Sequence, residues 1–315
     1  MKHLYLLSIA TLCCIPLLIS CNSTSDDEEK PETEDYSLVE GNFVDPSLIS
    51  DNGALILFYL PGIIGANPAG CTEYPCTKTI KSATTSLSDD MLYVVDGNRA
   101  EMEVTSGTFS DPDIVRKSDG TYLLYVSEGQ SVRVYSADSL NATFSEEGMA
   151  STQQGGVPCG IELSDNEFAL YVTTGGSIMR ATSSDGIAFE NFSAITIHDE
   201  SEEREYADPS IIPWPWSETE CTSLTQHYDY LFTYHYCDSG DCTQPTNHMV
   251  GLAGSDNGVD FYPLEEFEAF AGSVPDIIFH DDALVLMHTA NAQSNWHTFN
   301  ACLEMQEQGY AYLYE

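Results

Sequence analysis

A two-residue step, a short residue and then proline at the head of an apolar run, returns five times: Asp45-Pro46-Ser47-Leu48-Ile49, Asp111-Pro112-Asp113-Ile114-Val115, Val157-Pro158-Cys159-Gly160-Ile161, Asp208-Pro209-Ser210-Ile211-Ile212 and Val274-Pro275-Asp276-Ile277-Ile278. Successive prolines lie 66, 46, 51 and 66 residues apart. That period is the length of one four-stranded sheet plus a variable loop, and such units bury their faces by packing radially. The repeat predicts an all-β fold over residues 41–315: a five-bladed β-propeller with four-stranded antiparallel blades.

The segments after each proline support strands by their alternation. In the second repeat, Asp111 to Arg116 is followed by the turn Ser118-Asp119-Gly120, then Thr121 to Val126 and Ser131 to Tyr135. Asp-Gly between alternating apolar runs is a strong hairpin signal. A second signature, S-x-[DN]-G-x-x-F, occurs at Ser183 to Phe189 and Ser255 to Phe261. It reads as a tight turn, with the Asp or Asn oxygen capping backbone N–H groups, glycine at positive φ and the aromatic tucked between sheets. Those residues are expected to be structural.

The charge restricts the partners. Ten Lys and Arg stand against 50 Asp and Glu, a net charge of −40. So negative a chain repels phosphate backbones and anionic headgroups, which excludes nucleic acid as a partner. The acidic surface also favours a soluble monomer.

The N-terminus reads as an address. Lys2 and His3 precede an apolar run from Leu4 to Ile19, too short to span a bilayer. Leu18-Ile19-Ser20-Cys21 resembles a bacterial lipobox, which implies a signal peptide over 1–20, acylation of Cys21 and a lipid anchor to the membrane of the cell envelope. An ordinary cleaved signal peptide is the alternative. Residues 21–40, rich in Ser, Asp and Glu, are expected to form a disordered acidic tether.

Cysteine use agrees with export. Cys71 with Cys76 and Cys237 with Cys242 share an i, i+5 spacing in loops, which predicts two local disulfides in an oxidising compartment. The pairing of Cys159, Cys221 and Cys302 is left open by the sequence; joining Cys221 with Cys302 would leave Cys159 as the free thiol. The spacings lack the short separation of zinc knuckles, so no metal site is assigned.

On the five Pro-led strands the chain resembles the five-bladed β-propeller glycosidases, the group holding glycoside hydrolase families 43, 32, 62, 68, 117 and 130. The resemblance implies a carbohydrate substrate bound where the inner strands begin, around a central funnel. It implies an Asp in the first blade as base or nucleophile, an Asp in the second that tunes pKa and holds substrate, and a Glu in the third as acid. Asp45 and Asp111 match the first two. The third repeat reads Gln154-Gly155-Gly156-Val157-Pro158, without the acid. Glu162 lies further along that strand, so a displaced acid falls to Glu205 or Asp208 in the fourth repeat.

Two carboxylates are needed because glycosidic cleavage requires a protonated group at the leaving oxygen and an ionised one activating water or attacking carbon. Asp113, Arg204, Trp214, His235, Asp276 and His288 are the expected substrate-binding residues, Trp214 with Trp216 as a stacking pair. Asp before Pro is also an ordinary turn initiator. A non-catalytic surface propeller that binds glycan or protein in the same funnel is therefore the alternative function. No cofactor is expected; Ca²⁺ in the axial channel is conceivable from the number of inward oxygens, without an EF-hand-like loop to hold it.

Overall fold

The computed structural model describes residues 44–314 apart from 62–70, 72, 86–90, 105–106, 165–166, 200, 202, 218, 221–223, 225, 239–241, 243–244 and 291–292. The expected signal segment, tether and acylated Cys21 lie outside the described residues, as does Cys221.

Each Pro-led segment becomes the first strand of a meander. Unit one holds β1 (Val44–Asp51), β2 (Ala54–Leu60), β3 (Cys76–Thr85) and β4 (Met91–Val104). Unit two holds β5 (Phe109–Arg116), β6 (Tyr122–Glu128), β7 (Ser131–Ala137) and β8 (Ser145–Ser151). Unit three holds β9 (Gly156–Ser164), β10 (Glu167–Thr174), β11 (Ser177–Ser183) and β12 (Glu190–Ala194). After the short β13 (Thr196–Ile197), unit four holds β14 (Arg204–Pro213), β15 (Tyr230–Asp238), β16 (Met249–Ser255) and β17 (Asp260–Pro263), with β18 (Phe270–Ala271) beside β16. Unit five holds β19 (Ser273–His280), β20 (Ala283–Ala290), β21 (Gln293–Phe299) and β22 (Met305–Tyr314).

These strands do not divide into five separate four-stranded sheets. Units two and three are four-stranded, but β22 pairs in parallel with β4 from Ala311↔Met91 to Tyr314↔Val94 and fuses units five and one into an eight-stranded sheet. In unit four, β13 adds in parallel to β17, and with β18 beside β16 the sheet holds six strands. Both departures occur at outermost strands, where unpaired N–H and C=O groups remain free to take another partner.

The five first strands touch in cyclic order, β1 to β5, β9, β14, β19 and back to β1. Five apolar clusters lie between neighbouring units. Tyr122, Leu124 and Val126 of β6 face unit one with Phe58 and Ile80, whereas Leu123 and Tyr125 face unit three with Phe168 and Leu170. Period-two alternation thus buries both faces of one strand in different interfaces. Comparable clusters join units three and four around Tyr171 and Phe232, four and five around Leu231 and Leu286, and five and one around Leu57 and Trp296.

The S-x-[DN]-G-x-x-F turns form as expected. Asp185 Oδ1 accepts from Ile187 N at 2.8 Å and Asn257 Oδ1 from Val259 N at 2.8 Å, with Gly186 and Gly258 at φ 72° and 67°. Each turn also ties two units: Tyr125 Oη donates to the Gly186 carbonyl and Tyr171 Oη to that of Gly258, both at 2.7 Å. The disulfides Cys71–Cys76 and Cys237–Cys242 are present, Cys302 is disulfide-bonded, and Cys159 is free and buried.

Candidate functional site

The residue before four of the repeat prolines, Pro112, Pro158, Pro209 and Pro275, is held in the left-handed region. Asp111 has φ 53°, and Val157, Asp208 and Val274 have φ 51°. Ladder register breaks at the same places, between Val44 and Ser47, Ser110 and Pro112, Ala207 and Ser210, and Ser273 and Asp276; in unit three the break falls between Tyr171 and Thr173, opposite the Pro158 step. Each first strand therefore carries a bulge at its proline. Proline disfavours the right-handed helical region for the residue before it, and a β-branched valine at positive φ costs on the order of 1–3 kcal/mol. Repeated strain of this kind marks a place where side chains are re-aimed.

The bulges turn Asp111, Val157, Asp208 and Val274 toward one mouth of the axial channel, where with the prolines they line a cavity of about 30 Å³. Its floor is made by the residues after the prolines. Ser47 Oγ accepts from Ile114 N at 3.0 Å, Asp113 Oδ2 from Gly160 N at 2.7 Å, Ser210 Oγ from Ile277 N at 3.2 Å and Asp276 Oδ2 from Leu48 N at 2.6 Å. The Cys159 thiol meets the Ile211 N–H in the same way. Each side chain thus bridges to the backbone of the next unit, and the fifth returns to the first. Ser210 Oγ also donates to Asp276 Oδ1 at 2.5 Å.

Burial pushes the Asp113 carboxyl up to about 8, against the pull of the Gly160 N–H. It raises Asp276 to about 6, against the bonds from Ser210, Leu48 and Ile277. Asp113 and Asp276, expected to hold substrate, are therefore parts of a closed inter-unit ring. Asp113 and Asp276 are both engaged by donors, and among the described residues no three His, Cys, Asp or Glu side chains gather as a metal site.

Asp111 is half-buried and accepts from Ser110 Oγ at 2.6 Å. Asp208, 9% exposed, pairs with His235, 8% exposed, through Oδ2 and Nδ1 at 2.7 Å. Burial pulls the His235 imidazole down, but the charge and hydrogen bond of Asp208 outweigh it and the net shift is upward. His235 stacks on His248 with ring centroids 4.4 Å apart. Asp45 lies in β1 at the same step, and its side chain lies outside the description.

The other expected residues are elsewhere. Glu205 packs over Gly176, three residues upstream of Asp208 on β14, and does not line the cavity. Arg204 binds Asp199 at 3.0 Å and lies over the Tyr236 ring. Trp214 follows the far end of β14, packed edge-on to Trp216 and beside Tyr228, so the pair wedges the junction of units four and five at the opposite end from Asp208. His288 is not the counterpart of His235. Register aligns Ser210↔Thr233 with Asp276↔Met287, so His235 corresponds to Thr289, and His288 instead meets His297, Nε2 to Nε2 at 2.9 Å.

The gap in the third repeat has a steric basis. A Cβ on Gly155 would stand 2.5 Å from the Thr173 carbonyl oxygen, and one on Gly156 2.7 Å from that of Gly129. Neither position has room for a carboxylate side chain. The opposite mouth holds a larger hollow of about 500 Å³, walled by Ile49, Val115, Ile161, Ile212 and Ile278, with Glu162 bound to Ser118 at its rim. Sequence reasoning missed the inter-unit ring, although Ser, Asp, Cys, Ser and Asp directly after the five prolines were its signal.

No protein-family model and no curated protein matches the chain. Solved structures do match its fold. An endo-1,4-β-xylanase from Bacteroides thetaiotaomicron superposes with TM-score 0.63 at 13% identity, covering 89% of this chain and 100% of the other. The β-xylosidase RS223 gives TM-score 0.58 at 13% identity over 86% and 97%. A GH43_1 enzyme from Xanthomonas citri, in complex with xylose, gives 0.56 at 12% over 86% and 92%. The all-β chain thus has the fold of family 43 glycoside hydrolase structures.

Proposed function

We propose that the chain is a five-bladed propeller that binds a sugar chain over the Pro-led mouth and hydrolyses its glycosidic bonds, with β-linked xylosides the first class to test. The observation that carries this reading is the convergence of Asp111 and Asp208, on strained bulges, at one end of the channel. The enclosed part of the cavity holds about one water by volume, so the sugar lies outside it, against the two carboxylates. Asp45 serves as base or nucleophile and Asp111 as its neighbour that holds substrate and tunes its protonation. Acylation at Cys21 carries the domain on a membrane, with residues 21–40 as tether.

A non-catalytic glycan-binding propeller is the second reading, favoured by the absence of room for an acid at Gly155 and Gly156. Incubating the purified protein with aryl β-xylosides and xylan, beside a folded Asp45→Ala/Asp111→Ala variant, separates the two. Sugar release by the parent and none by the variant supports hydrolysis. Retained xylan binding without release by either supports recognition alone. Mass spectrometry of membrane-extracted protein, with Cys21→Ser as control, tests the anchor.

A further inference from the structure

We infer that His235, oriented by Asp208, is the proton donor of this site, taking the role that the third unit cannot fill. The assignment rests on the hydrolase reading above. Three features carry it. In the third unit a Cβ on Gly155 would stand 2.5 Å, and one on Gly156 2.7 Å, from a backbone oxygen, and the residue that lines the mouth is the apolar Val157. Asp208 lines the mouth and meets His235 Nδ1 at 2.7 Å, while Nε2 makes no hydrogen bond among the described residues. Asp208 sits on the bulge of β14, and His235 faces it from β15, where it pairs with Ala207 at the edge of the register break, so the bulge that aims Asp208 brings its carboxylate to the imidazole.

A carboxylate on one ring nitrogen fixes the tautomer, holds the ring in place and stabilises the protonated form, leaving the other N–H to act as acid. In the step, the His235 Nε2–H proton passes to the glycosidic oxygen as the bond from the anomeric carbon to that oxygen breaks. Water adds to the anomeric carbon and gives a proton to Asp45. That proton returns through solvent to His235, so one water is consumed and no other reactant is needed. The titratable groups packed on His235 are Asp208, which favours its charge, and the stacked His248, which opposes it when itself protonated. Asp208 acts through His235 and is a positioning residue.

The test compares His235→Gln with the parent on xylobiose, whose leaving group needs a proton, and on 2,4-dinitrophenyl β-xyloside, whose leaving group does not. The expected result is a loss of about 10²–10⁴-fold in kcat/KM on xylobiose, a loss below about tenfold on the aryl xyloside, and disappearance of the alkaline limb of the xylobiose pH profile. Asp208→Asn is expected to move that limb to lower pH, which keeps the assignment testable if His235→Gln fails to fold. Equal losses on both substrates, or an alkaline limb unmoved in Asp208→Asn, would overturn the role of His235 and leave the hydrolase reading standing. A parent inert on both substrates overturns both.

Discussion

At the scale of single residues, the buried titratable groups make stability depend on pH in two opposed ways. The Asp113 carboxyl is pushed up to about 8 by burial, whereas an unfolded Asp titrates near 4. Between those values the folded form keeps a proton that the unfolded form has lost, so stability falls as pH rises from about 4 to about 8. Asp276, at about 6, adds to the lower part of that range. Asp113→Asn keeps an oxygen for the Gly160 N–H and removes the ionisation. Its urea midpoint is expected to match the parent at pH 4 and exceed it at pH 8; a midpoint below the parent at pH 8 would contradict this.

His288 works in the other direction. Burial, with His297 beside it, lowers its pKa to about 3, while an unfolded His titrates near 6.5. Unfolding then takes up a proton below about pH 6.5, and stability falls as pH falls from there toward 3. His288→Leu is expected to flatten this acid limb in urea titrations at pH 4 to 6.5.

At the scale of elements, the inter-unit ring and the bulges carry the predictions. Ser210→Ala removes the donor to Asp276 and the acceptor of the Ile277 N–H, and a buried group left unpaired costs about 1–3 kcal/mol. Gly156→Ala must push its methyl against the Gly129 carbonyl and is expected to cost about 1–3 kcal/mol. Both are read from urea unfolding, and a change under about 0.5 kcal/mol would place the residue outside those contacts.

The first strands were legible in the sequence because proline and the Asp-Gly turns are local signals. The division of labour across each proline was not. The bulge inserts one residue into the ladder and shifts its phase, so Asp111 and Asp113, two apart, do not share the setting that plain alternation assigns them. Asp276, like Asp113, follows its proline, whereas Asp45, Asp111 and Asp208 precede theirs, and that one-step difference separates the buried ring from the mouth. The Trp214–Trp216 pair and the His288–His297 pair depend on contacts between units that no local pattern encodes. The Asp208–His235 pair joins strands 27 residues apart and was visible only as two separate candidates.

At the scale of the whole molecule, closure depends on a pairing that a repeat count cannot reveal. The parallel β4–β22 ladder joins the last unit to the first, as the Asp276 to Leu48 bond does at the axis. The chain carries a net charge of −40, most of it after residue 40, and self-repulsion of that size weakens a compact state at low ionic strength. Because the Debye length shrinks from about 30 Å at 0.01 M salt to about 10 Å at 0.1 M, the thermal midpoint is expected to rise over that interval and then level. A midpoint independent of salt would show that the repulsion is already offset by local pairing.

The location of the site is tested most directly by a crystal structure of the protein with bound xylotriose. The sugar is expected over the Pro-led mouth, with a hydroxyl or ring oxygen within hydrogen-bonding distance of Asp111 and of the Asp208–His235 pair. Xylotriose seated instead in the apolar hollow at the opposite mouth, with the Pro-led mouth empty, would contradict it.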